Sequence, residues 1–265
     1  MTSEPDAYVH GHHASVLRSH KSRTVENSAM HLVPHFRPGM RVLDVGCGPG
    51  NLTADIASRI EGADVDAIDA SESIIAEAAA EYGSIATFAV GDVYALDFGD
   101  DEFDLVHAHQ VLQHLDDPVA ALAEMRRVTK SGGLVAVRDA DYGAMSWAPA
   151  NPGMERWMEL YQAMTAHLHH DANAGRHLLG WAQSAGFTDI TVSSSTWEFA
   201  DPDSRGWWAG VWADRVLQSG YGDLADELGW ATRTELDEIA AAWRRWAQEP
   251  AGFFLCPHVE VIAVA

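Results

Sequence analysis

The stretch "VLDVGCGPGNLT", residues 42–53, is a short apolar run that enters a turn of three glycines and leaves it with helical spacing. A strand ending this way brings bare main chain close to a ligand at a helix N-terminus. Gly46, Gly48 and Gly50 form G-x-G-x-G, and Asn51 stands where a dinucleotide fingerprint has its third glycine. No Lys-Ser or Lys-Thr pair follows, so the turn is not a phosphate-cradling loop. Asp44, just before the first glycine, suits a ligand with a positive group and no phosphate. It reads equally as an acid that organises the turn by accepting backbone amides.

Outward from the turn, strand and helix patterns alternate from about residue 41 to residue 139. "NLTADIASRIEG" has helical spacing and stops at Gly62. "ADVDAIDAS" is a second strand, and "ESIIAEAAAEYG" a helix closed by Gly83. "IATFAVGD" and "FDLVHAHQVL" are the third and fourth strands. "DPVAALAEMRRVTKSGG" is a helix with proline at its start and glycines after its end. "GLVAVRDAD" is the fifth strand. Strands separated by helix-length segments imply a parallel sheet with helices on both faces. Its ligands belong beyond the carboxyl ends of the strands, where strand order reverses.

Two further acids give the ligand its outline. Asp69 ends the second strand, where a carboxylate accepts from both ribose hydroxyls. Asp92 follows the third strand, placed to meet the exocyclic amine of an adenine, with Val93 as an apolar wall. The ligand implied is an adenosine with a cationic, amino-acid-like tail, which describes S-adenosylmethionine (SAM).

In order, "VLDVGCGPG", "AIDAS", "VGDVYALDF", "FDLVHAHQVLQHLDDP" and "EMRRVTKSGG" resemble the successive motifs of class I SAM-dependent methyltransferases of the ubiquinone/menaquinone-biosynthesis (methyltransferase type 11-like) kind. The likeness covers about residues 20 to 142. It implies an α/β, Rossmann-like, seven-stranded sheet whose last strand, "HVEVIAVA", runs antiparallel. It also implies that Gly46, Cys47, Gly48 and Gly50 pass beside the methionine part of SAM, with Asp44 near them. Asp69 and Ala70 hold the ribose, Asp92 and Val93 the adenine, and the backbone at His109 and Gln110 meets the amino group. "SHKSRTVENSAMHLVP" resembles the helix that lies over SAM in this group. There Arg23 is placed to pair with the ligand carboxylate, and Tyr8 and His12 to complete a lid.

The expected organisation is one domain over residues 1–265. Residues 1–36 form an N-terminal helical lid and 37–142 the SAM-binding core. Residues 143–175 and 201–251 are helical cap insertions, and 176–200 with 252–265 complete the sheet. Residues 8 to 33 read as helical. Pro257 argues against starting the last strand before it.

Methyl transfer from a sulfonium needs a positioned nucleophile and exclusion of water. A base is needed only for an acceptor that enters protonated. "HAHQVLQHL" supplies His107, His109, Gln110 and His114 near the end of the fourth strand, and His107 and His109 share a face if both lie in the strand. "RDADYGAMSW" supplies Asp139, Asp141 and Tyr142. The catalytic candidates are His109, His114 and Asp139. The substrate-binding candidates are Tyr8, His12, His114, Tyr142 and His170. Each histidine reads alternatively as a hydrogen-bonded core or capping residue. "HLHHD", residues 167–171, puts histidines at helical spacing, yet no cysteine cluster or HExxH accompanies them, so no metal is assigned. The ten tryptophans, from Trp147 to Trp246, all fall outside the glycine-turn core. Those at helical spacing, Trp208 with Trp212 and Trp243 with Trp246, read as packing.

A formal charge of −22, spread along the chain, repels nucleic-acid phosphates and anionic membranes. No apolar run is long enough to span a bilayer, and the first residues carry no apolar signal segment. Two cysteines, Cys47 and Cys256, give no disulfide framework and suit a reducing cytoplasm. The expectation is a cytoplasmic enzyme that uses SAM to methylate oxygen or nitrogen, less readily carbon, of a small molecule, with room for a homodimer. Its rivals are a SAM-binding protein of the same fold that does not methylate, and a nicotinamide oxidoreductase, against which Asn51 speaks.

Overall fold

The structure is a computed structural model that describes residues 18–265. In chain order its elements are β1 (Arg41–Val45), α1 (Asn51–Ser58), β2 (Asp64–Asp69), α2 (Glu72–Tyr82), β3 (Thr87–Val90), β4 (Phe103–His109), α3 (Pro118–Val128) and β5 (Thr129–Ala140). Then come β6 (Ser146–Ala148), α4 (Pro152–His167), α5 (Leu178–Ser184), β7 (Ile190–Phe199), α6 (Pro202–Gln218), α7 (Gly220–Glu227), α8 (Arg233–Trp246) and β8 (Phe253–Val264). The chain divides into two compact units. A sheet unit holds residues 21–140, 174–195 and 258–265. An aromatic unit holds residues 141–173 and 196–257, with residues 18–20.

In the sheet unit the strand order is β3-β2-β1-β4-β5-β8, with β7 on β8. The first five strands run parallel, and β8 is antiparallel to β5. These are the seven expected strands, and the order reverses between β1 and β4. The eighth, β6, pairs only with Phe253–Leu255 of β8, within the aromatic unit. Local signals start the helices. Asp117 caps α3 by accepting from the Ala120 amide, with Pro118 at the first helical position. The same Asx-Pro device opens α4 at Asn151-Pro152 and α6 at Asp201-Pro202. One face of the sheet buries Val45, Val106, Ala108, Val137 and Val261 against α3 and α5. The other buries Val42, Leu105, Ala136 and Ile262 against Val25, Ala29, Leu32, Leu52 and Ile56.

Several local expectations are corrected. The last strand starts at Phe253, ahead of Pro257. The proline falls between the pairing with β6, which ends at Leu255, and that with β5, which starts at His258, so its missing N–H leaves no gap in either ladder. The fourth strand stops at His109, because Gln110 turns left-handed at φ +56°. The fifth begins at Thr129, with the register irregular before Leu134. Over its described part the N-terminal segment is no single helix: a π turn spans Val25–Ala29 and a 3-10 turn Met30–His35. Side chains cap the start of the π turn, the Val25 N–H donating to Asp55 at 2.7 Å and the Thr24 N–H to Asn27 at 2.9 Å. Pro34 removes another donor.

The aromatic unit is built around its rings. Trp157 lies 4.4 Å from Trp212 and 4.9 Å from Trp243, centroid to centroid, both edge-on. Tyr142 stacks on Tyr161 at 4.3 Å, and Phe199 on Trp208 at 4.4 Å. Trp208, Trp212, Trp243 and Trp246 are all buried, as packing residues should be. Trp181 sits on α5 and packs against the sheet core.

Candidate active site

The glycine turn leaves β1 with three left-handed residues, Gly46 at φ +68°, Gly48 at +55° and Gly50 at +81°. A Cβ on Gly46 would stand 2.4 Å from Val111 Cγ2, and one on Gly50 2.9 Å from Phe88, so both positions are closed to side chains twice over. The Gly48 N–H donates to Asp69 Oδ2 at 3.0 Å, and the Ser71 N–H to Asp69 Oδ1 at 3.0 Å. Asp69 thus ties the turn to the start of α2. Each of its oxygens keeps a further acceptor position. Exposed Ala70 follows it. Cys47 is buried. Burial first, then Asp44 and Asp69, push its thiol far above the ordinary range, so its contribution to the turn is main chain.

Asp44 lies under the turn. Its Oδ2 accepts from Thr53 Oγ1 at 2.5 Å and its Oδ1 lies 2.9 Å from His107 Nδ1. Its partners are side chains of α1 and β4, not the backbone amides of the turn that one of its two sequence readings expects. Asp92 is exposed past the end of β3 and accepts from the Tyr94 N–H at 2.9 Å. Val93 is partly buried against the sheet core.

At the end of β4 the structure gathers His109, Gln110 and Arg23. The Gln110 N–H donates to the Arg138 carbonyl at 2.7 Å. Its side-chain Oε1 accepts from Arg23, and its amide nitrogen lies 2.8 Å from His258 Nε2. Asn51 Nδ2 donates to the Arg23 carbonyl at 2.6 Å, fixing the segment that carries the guanidinium. Asp139 points to the opposite face of the sheet from Arg138. Its Oδ1 accepts from the Gln113 N–H at 3.2 Å, which caps the 3-10 turn Leu112–His114. Its buried Oδ2 has no hydrogen-bond partner among the described residues. Burial pushes this carboxyl up to about 7. His114, half-buried, lies with Nε2 3.0 Å from Gln113 Nε2.

The remaining candidates lie elsewhere. Tyr142 and His170 are buried in the aromatic unit, where the His170 N–H donates to the Thr165 carbonyl at 2.8 Å. Tyr8 and His12 lie outside the described residues. In "HLHHD" α4 ends at His167 and His169 is left-handed at φ +58°, so the histidines share no helical face. Among the described residues no group of three or more His, Cys, Asp or Glu could hold a metal ion.

Sequence reasoning missed four polar residues of the same neighbourhood: His31, Arg138, His258 and Glu260. Arg138 and Glu260 are directly opposed on β5 and β8 and meet at 3.3 Å. Ser193 and Ser195 of β7 donate to Glu260 at 2.7 and 2.5 Å. His31 Nδ1 lies 3.7 Å from the same carboxylate, and burial pushes this imidazole down to about 3. One signal was present. Polar residues at alternate positions of an apolar strand, His258 and Glu260 in "HVEVIAVA", mark a buried polar face.

Comparison with known proteins agrees with this architecture. Residues 43–137 match the family model of a methyltransferase domain. An uncharacterized methyltransferase of Schizosaccharomyces pombe is 32% identical over 96% of this chain and 95% of its own length. A malonyl-acyl-carrier-protein O-methyltransferase of Erwinia pyrifoliae is 30% identical over 82% of this chain and 77% of its own. Among solved structures, phosphoethanolamine N-methyltransferase 2 of Haemonchus contortus, in complex with phosphomonomethylethanolamine and S-adenosylhomocysteine, shares the fold. Its TM-score is 0.56 at 19% identity, covering 90% of this chain and 53% of that one.

Proposed function

From the premise that this chain belongs to the class I SAM-dependent methyltransferases, we propose that it transfers the methyl group of SAM to an oxygen or nitrogen atom of a small-molecule acceptor. The observation that carries the reading is the left-handed glycine turn tied through the Gly48 amide to Asp69 at the end of β2. That pairing fits the donor molecule. Bare main chain borders the sulfonium end, and a carboxylate with acceptor positions to spare stands where two ribose hydroxyls belong. Bound SAM supplies an electrophilic methyl group.

The chain's own residues then have distinct tasks. Gly46, Cys47, Gly48 and Gly50 line the methionine part with main chain, and Asp44 stiffens them from below. Asp69 and Ala70 hold the ribose, and Asp92 with Val93 the adenine. Arg23 is a partner for the methionine carboxylate, and the backbone at His109 and Gln110 for the amino group. Asp139, raised to about 7 by burial and carrying an oxygen without a hydrogen-bond partner among the described residues, is suited to take a proton from an acceptor, with His114 at the end of the turn it caps. Residues 143–175 and 201–251, with Tyr142 and His170, serve acceptor recognition, and Tyr8 and His12 the lid. An oxygen acceptor draws support from the relative named as an O-methyltransferase. The acidic surface and two buried thiols suit a cytoplasmic enzyme with no nucleic-acid partner. No helix among the described residues is long and apolar enough to cross a membrane.

The test is transfer of a tritiated methyl group from SAM into a metabolite extract. The reading expects a labelled small molecule. Tight SAM binding without any labelled product would instead point to a non-methylating use of the same site.

A further inference from the structure

The sheet face above which the N-terminal segment packs changes character along its strands. At the amino ends of the parallel strands it is apolar, with Val42, Leu105 and Leu134 and, from antiparallel β8, Ile262. Two or four residues on along the parallel strands, and two or four back along β8, strand alternation brings Asp44, His107, His109, Arg138, Glu260 and His258 to the same face. The register sets them side by side: Asp44 opposite His107, His109 opposite Arg138, Arg138 opposite Glu260. Polar residues therefore line the carboxyl ends of the strands, where ligands of such sheets bind.

Arg138 reaches from this row in three directions. It is fully buried. Its Nη1 lies 3.4 Å from His109 Nδ1, its Nε 3.3 Å from Glu260 Oε1, and its Nη2 2.9 Å from Ser195 Oγ. Ser193 and Ser195 hold the Glu260 carboxylate, so the guanidinium is aimed by its own counter-ion. A guanidinium offers donors and no acceptor, so His109 Nδ1 must be the accepting nitrogen. The imidazole then carries its proton on Nε2. The surroundings keep it neutral: burial holds His109 well below the ordinary imidazole range, and Arg23, Arg138, His258 and His107 act in the same direction. The main chain of Arg138 does a second job, since its carbonyl takes the Gln110 N–H and pins that residue at φ +56°. A non-glycine residue persists there only when its surroundings over-determine it.

We propose that Arg138 is a positioning residue of the methyl-transfer site. It fixes His109 as a neutral imidazole that donates through Nε2–H and cannot serve as base, and it anchors the left-handed turn at Gln110. This rests on the methyltransferase reading above and narrows the acceptor. A hydroxyl or ammonium that must lose its proton finds no base at His109. A carboxylate oxygen, which enters already deprotonated, needs none.

The tautomer is read directly by 15N–1H correlation spectra of the imidazoles in the full-length protein with S-adenosylhomocysteine. The His109 signals are identified by their loss in His109→Gln. The expected result is an unprotonated Nδ1 and a protonated Nε2 that do not titrate between about pH 5.5 and 8.5. In Arg138→Lys, which keeps the charge and loses the planar fork, His109 should populate both tautomers or titrate. His109→Gln, whose amide donates and has no basic nitrogen, should support methyl transfer at least tenfold better than His109→Leu. A proton on Nδ1, titration in the wild-type protein, or equal loss of transfer in the Gln and Leu variants overturns the proposal. Wild-type protein that fails to bind S-adenosylhomocysteine overturns the methyltransferase reading instead.

Discussion

Asp44 of β1 and His107 of β4 are directly opposed in the parallel sheet and joined at 2.9 Å, with the other Asp44 oxygen held by Thr53. All three are buried. Asp44→Ala would leave the His107 and Thr53 donors without an acceptor. The expected loss is about 2–4 kcal/mol of stability, seen as a lower denaturation midpoint at unchanged slope. Weaker SAM binding should follow from the loosened turn.

Asp69 makes the contrasting case. It is partly exposed and accepts from two backbone amides at the lip of the turn. Asp69→Ala should weaken S-adenosylhomocysteine binding by at least about tenfold, one or more charged hydrogen bonds, while costing less stability than Asp44→Ala. Calorimetric titration beside a thermal melt separates the two effects. Unchanged affinity would remove Asp69 from the ribose.

Gly46→Ala tests the close approach of the turn. The added methyl group would meet Val111 Cγ2 at 2.4 Å, at a φ of +68° that alanine resists. A cost of about 1–3 kcal/mol is expected, together with loss of ligand binding.

Two buried groups give stability opposite pH dependences. His31 titrates near 3 in the folded chain and near 6.5 unfolded, so the unfolded state gains a proton first as pH falls. Its share of stability is complete above pH 6.5 and is lost between pH 6.5 and 3. His31→Leu should flatten that slope. Asp139 titrates near 7 folded and 3.8 unfolded, so here the folded state holds the proton. Its share is complete below pH 3.8 and is lost as pH rises through 7. Asp139→Asn, which can still accept from the Gln113 amide, should remove this loss and gain stability relative to wild type at pH 8. Chemical denaturation at pH 4, 6 and 8 reads both.

Much of the sheet was legible because its signals are local. The glycines of residues 46–50, the carboxylates that end β2 and follow β3, and the Asp117-Pro118 helix start each announce themselves within a few residues. The cluster of Arg138, Glu260, His258 and Ser195 was not legible. Its members meet only because β5, β8 and β7 are neighbours, and strand order is a property of the whole chain. Pro257 misled for the same reason: a proline breaks a ladder only where a partner needs its N–H, and here the partner changes at that point. The N-terminal segment read as helical, yet a side-chain cap at Thr24 and Val25 and the proline at 34 divide its described part into short turns.

The central claim is that main chain at Gly46–Gly50 and the carboxylate of Asp69 hold a sulfonium nucleoside. Isothermal titration of the full chain with S-adenosylhomocysteine, SAM and NAD tests it most directly. The account predicts saturable one-to-one binding of the first two, abolished by Gly46→Ala, and no heat with NAD. Binding of NAD alone, or of none of the three, would contradict it.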